Sequence, residues 1–154
     1  MIKIVGHRGA SGYAPENTIA SFKKAIELTC DRAELDVRLT KDRVVVVIHD
    51  ETVDRTTNGE GAVSNITLDD INKFDAGKGE KIPTLREVIE VCKGKIELQI
   101  ELKQVGTPEE VNKILVEYDL VNNVVISSFD EELLRETKAL NSDYKTLLLF
   151  RNYS

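Results

Sequence analysis

Seven side chains in this sequence have types suited to chemistry on a phosphate ester: His7, Arg8, Glu34, Asp36, His49, Glu101 and Lys103. The three carboxylates form a hard-oxygen cage of the kind that takes Mg²⁺ or Ca²⁺. Two imidazoles exchange protons near neutral pH. Arg8 and Lys103 would balance the charge of a phosphate. Glu34 and Asp36 stand two residues apart, so in a strand both project from one face, where they repel each other unless something cationic lies between. Taken singly these residues have plainer readings: a core histidine beside a surface arginine, or acids on the wet face of a strand. Taken together they suit the cleavage of a phosphodiester.

The elements that must position them follow from local pattern. Val44-Val-Val-Val-Ile48 is a β-branched run that suits a buried strand and ends in His49-Asp50. Ala33–Val37 is the acid-bearing strand before it. The linker from Arg38 to Arg43 is too short for a crossover helix, so the two strands form a hairpin. A two-residue turn at Lys41-Asp42 or Asp42-Arg43 places His49 opposite Glu34 or Asp36; a three-residue turn places it opposite Leu35. The residues leave all three registers open.

Ile2–Val5 reads as a first strand running into Gly6-His7-Arg8-Gly9-Ala10, a site-like position at a strand's C-terminal end. Pro15-Glu16-Asn17-Thr18 opens a helix with Asn17 as its expected N-cap and Ile19, Phe22 and Ile26 on the buried face. Residues 51 to 82 look like a small excursion: a polar loop, then a short helix capped by Thr67 and carrying Leu68, Ile71 and Phe74. Thr84 and Glu87 make a capping box, and Thr107-Pro108-Glu109-Glu110 predicts a second with Pro108 at the first helical position. Between them Ile96 to Lys103 alternates strictly, apolar on one face and Glu97, Gln99, Glu101 and Lys103 on the other. Val124–Phe129 and Lys145–Phe150 are further strands, separated by a helix that Asp130 caps. Strand and helix alternate except at the hairpin, which argues a mostly parallel α/β sheet of six strands with helices outside.

With 154 residues, 41% hydrophobic and 31% charged, the chain fits one globular domain. A net charge of −6 without a basic run excludes an electrostatic footprint for nucleic acid or an anionic membrane. The N-terminal Met1-Ile-Lys-Ile-Val is neither a signal h-region nor a span, so a cytoplasmic protein is expected. Cys30 and Cys92 lack metal-like spacing and read as free structural thiols. Gly6-His7-Arg8-Gly9 lacks the spacing of a dinucleotide fingerprint.

In order along the chain, His7-Arg8-Gly9, Pro15-Glu16-Asn17-Thr18, Glu34-Leu-Asp36-Val37, Thr40-Lys41-Asp42, His49-Asp50, Arg55-Thr56-Thr57-Asn58-Gly59, Ile82-Pro83-Thr84-Leu85, Glu101-Leu-Lys103 and Ser127-Ser128-Phe129 resemble the motifs of the glycerophosphodiester phosphodiesterases. The resemblance implies a TIM-type (β/α) barrel over residues 1–154 with an insertion at 51–82. It implies Glu34, Asp36 and Glu101 as ligands of Mg²⁺ or Ca²⁺, His7 and His49 as the general acid/base pair, and Arg8 and Lys103 as substrate contacts. The implied reaction hydrolyses a small-molecule glycerophosphodiester to sn-glycerol 3-phosphate and an alcohol, with a substrate hydroxyl as one candidate for the first attack.

Length departs from that pattern. A (β/α)₈ barrel takes about 250 residues, so six strands imply a truncated barrel whose last strands, including a Trp-bearing motif, are missing; the chain has no Trp. A fragment, a homo-oligomer covering the open barrel edge and a degenerate relative all fit that length. Two other functions compete with the leading one: a lysophospholipase D-like lipid phosphodiesterase, which calls for an apolar lip, and a non-catalytic module that holds phosphate or metal.

Overall fold

The structure, a computed structural model, describes residues 2–151. Five strands are parallel and stand side by side in chain order: β1 (Val5–Gly6), β2 (Arg32–Leu39), β4 (Glu97–Leu102), β5 (Val124–Ser128) and β6 (Lys145–Leu148). The remaining strand, β3 (Val45–Val47), is antiparallel to β2 and hangs off this path. Helices α1 (Ile19–Glu27), α3 (Leu85–Cys92), α4 (Thr107–Glu117) and α5 (Glu131–Leu140) connect or follow the strands; α2 (Leu68–Ile71) belongs to the stretch after β3. Strand order that never reverses is the order of a (β/α) barrel and not of a doubly wound sheet, which has a switch point. Among the described residues β1 and β6 do not pair with each other, so the sheet is an open arc of six strands.

One main core joins Leu35, Val37 and Leu39 of β2 and Leu98, Ile100 and Leu102 of β4 to Phe22, Leu85, Ile89, Leu115 and Leu134 of the helices. Period-2 geometry therefore sends Glu34, Asp36, Gln99 and Glu101 to the opposite, concave face, where they are nonetheless buried. The stretch after β3 has its own small core, Val46, Ile48, Val53, Val63, Ile71 and Ile82, through which it seats on β3.

Hairpin register takes the third of the three expected forms. Val37 pairs with Val47 and Leu39 with Val45, closed by Arg43 N–H to Thr40 O at 2.9 Å and Thr40 N–H to Val44 O at 3.0 Å. This is a three-residue loop ending on Arg43 in the left-handed region, φ 61°. Continued, it would put His49 opposite Leu35. The ladder stops first: Ile48 N–H still reaches Asp36 O, and His49 then turns away, its carbonyl taken by Arg38 Nε at 2.9 Å.

Several local expectations are corrected. The first paired strand is Val5–Gly6, and Ile2 and Ile4, which precede it, lie exposed. Thr18, not Asn17, caps α1, in a capping box with Ser21. Gly106, φ 88°, caps α4 without a side-chain bond; Thr107 is already helical and its hydroxyl donates to Gln104 O. The last strand ends at Leu148, before Phe150. Capping by Thr67, Thr84 and Asp130 occurs as expected. Cys30 and Cys92 are free, and burial pushes the Cys92 thiol up to about 12. No helix among the described residues is long and apolar enough to cross a membrane.

Gly9 fixes the approach of α1 to the end of β1. Its φ is +75°, and a Cβ there would lie 2.3 Å from Ser21 Oγ and 2.8 Å from the Ser21 backbone carbon. Gly9→Ala combines a left-handed penalty with overpacking against backbone, for an expected loss of about 2–4 kcal/mol. Urea melts of both proteins check this, and an unchanged midpoint would show that α1 can slide.

Candidate active site

The concave face puts its acids at the C-terminal ends of β2 and β4, the end at which parallel barrels carry chemistry. Glu34 and Asp36 come from β2, and Glu101 stands level with Asp36 because the two are register partners. One oxygen from each carboxylate lies within 4.8 Å of the others. Hard divalent cations bind oxygen at about 2.0–2.6 Å, so this spacing fits three ligands around one ion. The unpaired atoms point the same way: Glu34 Oε1 and Asp36 Oδ1 are buried and accept no hydrogen bond among the described residues. Buried unsatisfied carboxylate oxygens are costly, and a cation would satisfy them.

The other carboxylate oxygens are held. Glu34 Oε2 accepts the Arg8 backbone N–H at 3.0 Å, and Asp36 Oδ2 accepts Asn17 Nδ2 at 3.0 Å. Arg8 and Asn17 both sit in the left-handed region, φ 53° and 55°, a strain that functional sites often carry. Lys103 Nζ lies 2.6 Å from Glu101 Oε1 and 3.8 Å from Asp36 Oδ1. Gln99, one turn of the pleat below Glu101, donates to Ser127 Oγ on β5.

His7, Arg8, Glu34, His49, Glu101 and Lys103 all line one cavity of about 330 Å³, together with Gln99, Phe129, Leu149 and Arg151. The structure thus brings together six of the seven residues singled out in the sequence, and the seventh, Asp36, completes the carboxylate cluster beside them. A larger cavity of about 770 Å³ opens at the N-terminal ends of the strands, between Cys30, Glu97, Tyr118 and Lys145, and contains none of the seven. His7 is largely exposed, with Nε2 3.8 Å from Glu34 Oε2. His49 is more enclosed, and its Nδ1 lies 2.7 Å from Asp50 Oδ1.

Residues that sequence reasoning did not assign to the site surround these. Asn17 was expected as a helix cap, yet its amide faces Asp36. Glu16, Asp50 and Arg55 form ion pairs around Arg8 and His49. The ring of Phe129 lies under two cations, Lys103 Nζ at 5.5 Å and Arg151 Cζ at 5.2 Å from its centroid. All but Arg151 lie within the motifs quoted above; what marked them was position, with no chemical signal that separated them from turn and cap residues.

Burial, followed by the nearby Asp36 charge, pushes the Glu34 carboxyl up to about 8. A carboxyl whose folded value lies above its unfolded value favours folding when protonated, and that contribution is lost as pH rises from about 4.5 towards 8. A divalent cation competes with that proton. Mg²⁺ or Ca²⁺ should therefore raise the melting temperature more at pH 8 than at pH 5 and release protons on binding. Calorimetry in two buffers of different ionisation enthalpy checks this; cation binding without proton release would contradict it.

The glycerophosphoryl diester phosphodiesterase family profile matches residues 7–154. A glycerophosphodiester phosphodiesterase of Caldanaerobacter subterraneus is 48% identical over 161 residues, covering 96% of this chain and 66% of that protein. Among solved structures, a glycerophosphodiester phosphodiesterase from Agrobacterium tumefaciens superposes with a TM-score of 0.90 at 38% identity, over 95% of this chain and 66% of its own. A phosphodiesterase from Oleispira antarctica, in complex with the product sn-glycerol-3-phosphate, superposes with a TM-score of 0.84 at 35% identity, over 95% of this chain and 65% of its own. The chain spans just under two thirds of the length of these relatives.

Proposed function

The chain belongs to the glycerophosphoryl diester phosphodiesterase family, and on that premise we propose that it hydrolyses glycerophosphodiesters to sn-glycerol 3-phosphate and an alcohol. The observation that carries this reading is the cluster of Glu34, Asp36 and Glu101 with unpaired oxygens, opening onto a cavity that two histidines share. The product bound to the Oleispira antarctica relative supports the same substrate class.

Glu34, Asp36 and Glu101 would hold one divalent cation, Mg²⁺ or Ca²⁺, which when bound supplies Lewis acidity at a phosphate oxygen. Lys103, on the rim of the cluster, adds positive charge where the phosphoryl oxygens gain negative charge. Arg8 gives Nη1 to Glu16 at 2.8 Å, has Nε 3.7 Å from Asp36 Oδ2 and lines the same cavity, where its guanidinium would meet a phosphate oxygen. One histidine removes the proton of the attacking substrate hydroxyl and the other protonates the departing alcohol as its P–O bond breaks; water then opens the resulting cyclic phosphate, with the two histidines in reversed roles, to give sn-glycerol 3-phosphate. His49, oriented by Asp50, suits the role that demands a fixed Nε2; His7, open to solvent, suits the one that exchanges protons with water. The free thiols Cys30 and Cys92 support placing the protein in a reducing compartment such as the cytoplasm. Self-association across the open sheet edges belongs to the same reading, supported by the exposed Ile2, Ile4 and Leu147.

One observation favours a second substrate class. Exposed Val105, Phe129 and Phe150 line a trough of about 570 Å³ that also includes Glu101 and Lys103. That is an apolar lip beside the candidate centre, the feature a lysophospholipase D-like enzyme requires. Turnover of glycerophosphocholine and of lysophosphatidylcholine, each with Mg²⁺ or Ca²⁺, separates the two readings.

With the preferred substrate, His7→Ala and His49→Ala should each lower kcat by about 10²- to 10⁴-fold. Full activity in either variant would remove that histidine from the mechanism, and absence of turnover by the parent chain with either cation would leave the non-catalytic module.

A further inference from the structure

Glu16 receives two arginines from different parts of the chain. Its Oε2 accepts Arg8 Nη1 at 2.8 Å and Arg55 Nη2 at 3.0 Å, while Oε1 accepts Arg55 Nη1 at 2.7 Å. The other edge of Arg55 grips Asp50, Nε to Oδ2 at 2.8 Å and Nη2 to Oδ1 at 3.0 Å. Asp50 Oδ1 in turn meets His49 Nδ1 at 2.7 Å. An unbroken series of charge-assisted contacts thus runs from Arg8, after β1, through Glu16, before α1, to Arg55 and Asp50 in the loop after β3, and ends on the imidazole of His49. Both edges of one planar guanidinium are filled bidentately, a geometry that lysine cannot reproduce.

Isolated surface ion pairs contribute little, but this set is not isolated. The side chains of Arg8, Glu16, Asp50 and His49 are 19%, 18%, 26% and 29% exposed, and the Arg55 side chain that joins them is half-exposed at 50%. The loop that presents Arg55 is itself fixed: Val53 is fully buried, its N–H donates to Gly61 O, Thr57 N–H returns to Val53 O, and Gly61 N–H is taken by Asp54. Arg55 therefore projects from a constrained backbone.

We infer that Glu16 and Arg55 are positioning residues: they form a clamp that holds Asp50 against His49 Nδ1, so that the imidazole carries its proton on Nδ1 and presents Nε2 to the cavity at a fixed distance from Arg8. The Arg55 guanidinium, together with the imidazole, holds the Asp50 carboxyl well below the usual range, so Asp50 orients the ring and does not take its proton. Burial raises the Glu16 carboxyl, but Arg55 and Arg8 outweigh it and keep it ionised. The charged and titratable groups around His49 are Asp50 and Arg55 on its own loop, Arg38 at its carbonyl, and His7, Arg8, Glu34, Glu101, Lys103 and Arg151 around the cavity. The catalytic meaning of the clamp rests on the function proposed above. Its structural content does not.

The chain has two histidines, which makes the tautomer measurable. Long-range ¹H–¹⁵N spectra of the full chain at about pH 8, where an ordinary imidazole is neutral, with His7→Ala used for assignment, should show His49 as the Nδ1–H tautomer. Arg55→Met should shift that signal towards the Nε2–H form of an unconstrained imidazole, and Arg55→Lys, which restores charge without the fork, should not bring it back. Glu16→Gln, an isosteric change, keeps an acceptor but weakens both arginine contacts, so its shift should be smaller in the same direction. In turnover assays Arg55→Met should lower kcat by roughly 10²-fold, the scale of a misplaced catalytic group, and change KM little. Circular dichroism melts confirm that each variant is folded, and if Arg55→Met is not, Glu16→Gln carries the test. An Nε2–H tautomer in the parent, or a tautomer unmoved in both Arg55→Met and Glu16→Gln, overturns the clamp. A parent without turnover but with the Nδ1–H tautomer, lost in Arg55→Met, overturns the enzymatic reading alone.

Discussion

Mutual repulsion among three buried carboxylates is the constraint on which the rest of the structure depends. Glu34, Asp36 and Glu101 are 5%, 1% and 6% exposed, on neighbouring strands and on one face. Burying like charges together is tolerated only when cations, hydrogen bonds or protonation offset it. The surrounding residues supply part of that offset: Lys103 beside Glu101, the Arg8 backbone N–H on Glu34, the Asn17 amide on Asp36. Among the described residues they leave Glu34 Oε1 and Asp36 Oδ1 without a hydrogen bond, and Glu101 Oε1 with the Lys103 ion pair alone. The protein has built a deficit of positive charge in a fixed place, which is a physical definition of a cation site.

The fold makes that deficit sustainable. Alternation along β2 and β4 sends every second side chain into a continuous apolar core and the intervening ones into the concave face. The acids cannot escape to solvent by a local rearrangement, because a one-residue slip would carry Leu35, Val37 and Ile100 out of the core. Stability of the apolar layer is thereby coupled to strain in the polar one. Helices α1 and α3 brace the strands from behind, and the left-handed residues Arg8 and Asn17 deliver the donors from in front.

Much of this was legible in the sequence where one local rule decided the outcome. Strict alternation from Ile96 to Lys103 located Glu101 on the polar face, and the spacing of Glu34 and Asp36 placed them together. What was not legible depended on two or more elements meeting. Asn17 satisfies the helix-cap rule by type, but Thr18 with Ser21 forms the better box, which releases the Asn17 amide for Asp36. Arg38–Arg43 allowed three registers, and the choice rests on Arg43 adopting a left-handed conformation that its residue type does not advertise. Even the register did not determine the placing of His49, since the ladder ends one step before it. Arg55 lay in a loop whose sequence promised turns and polarity; only the fold shows that its guanidinium reaches both Asp50 and Glu16.

Strand order carries a consequence for how the molecule opens. Each strand leans on its immediate neighbours, so the arc loosens from its ends: β1 has two paired residues and β6 four, each paired on one side only among the described residues. β2 and β4 share six register partners and are flanked on both sides. Amides at the ends should therefore exchange with solvent through local openings, whereas those of β2 and β4 should wait for global unfolding. The three carboxylates sit on the strands expected to exchange slowest, so opening of the β6 edge would leave them assembled, whereas opening of β1 would take the Arg8 N–H away from Glu34.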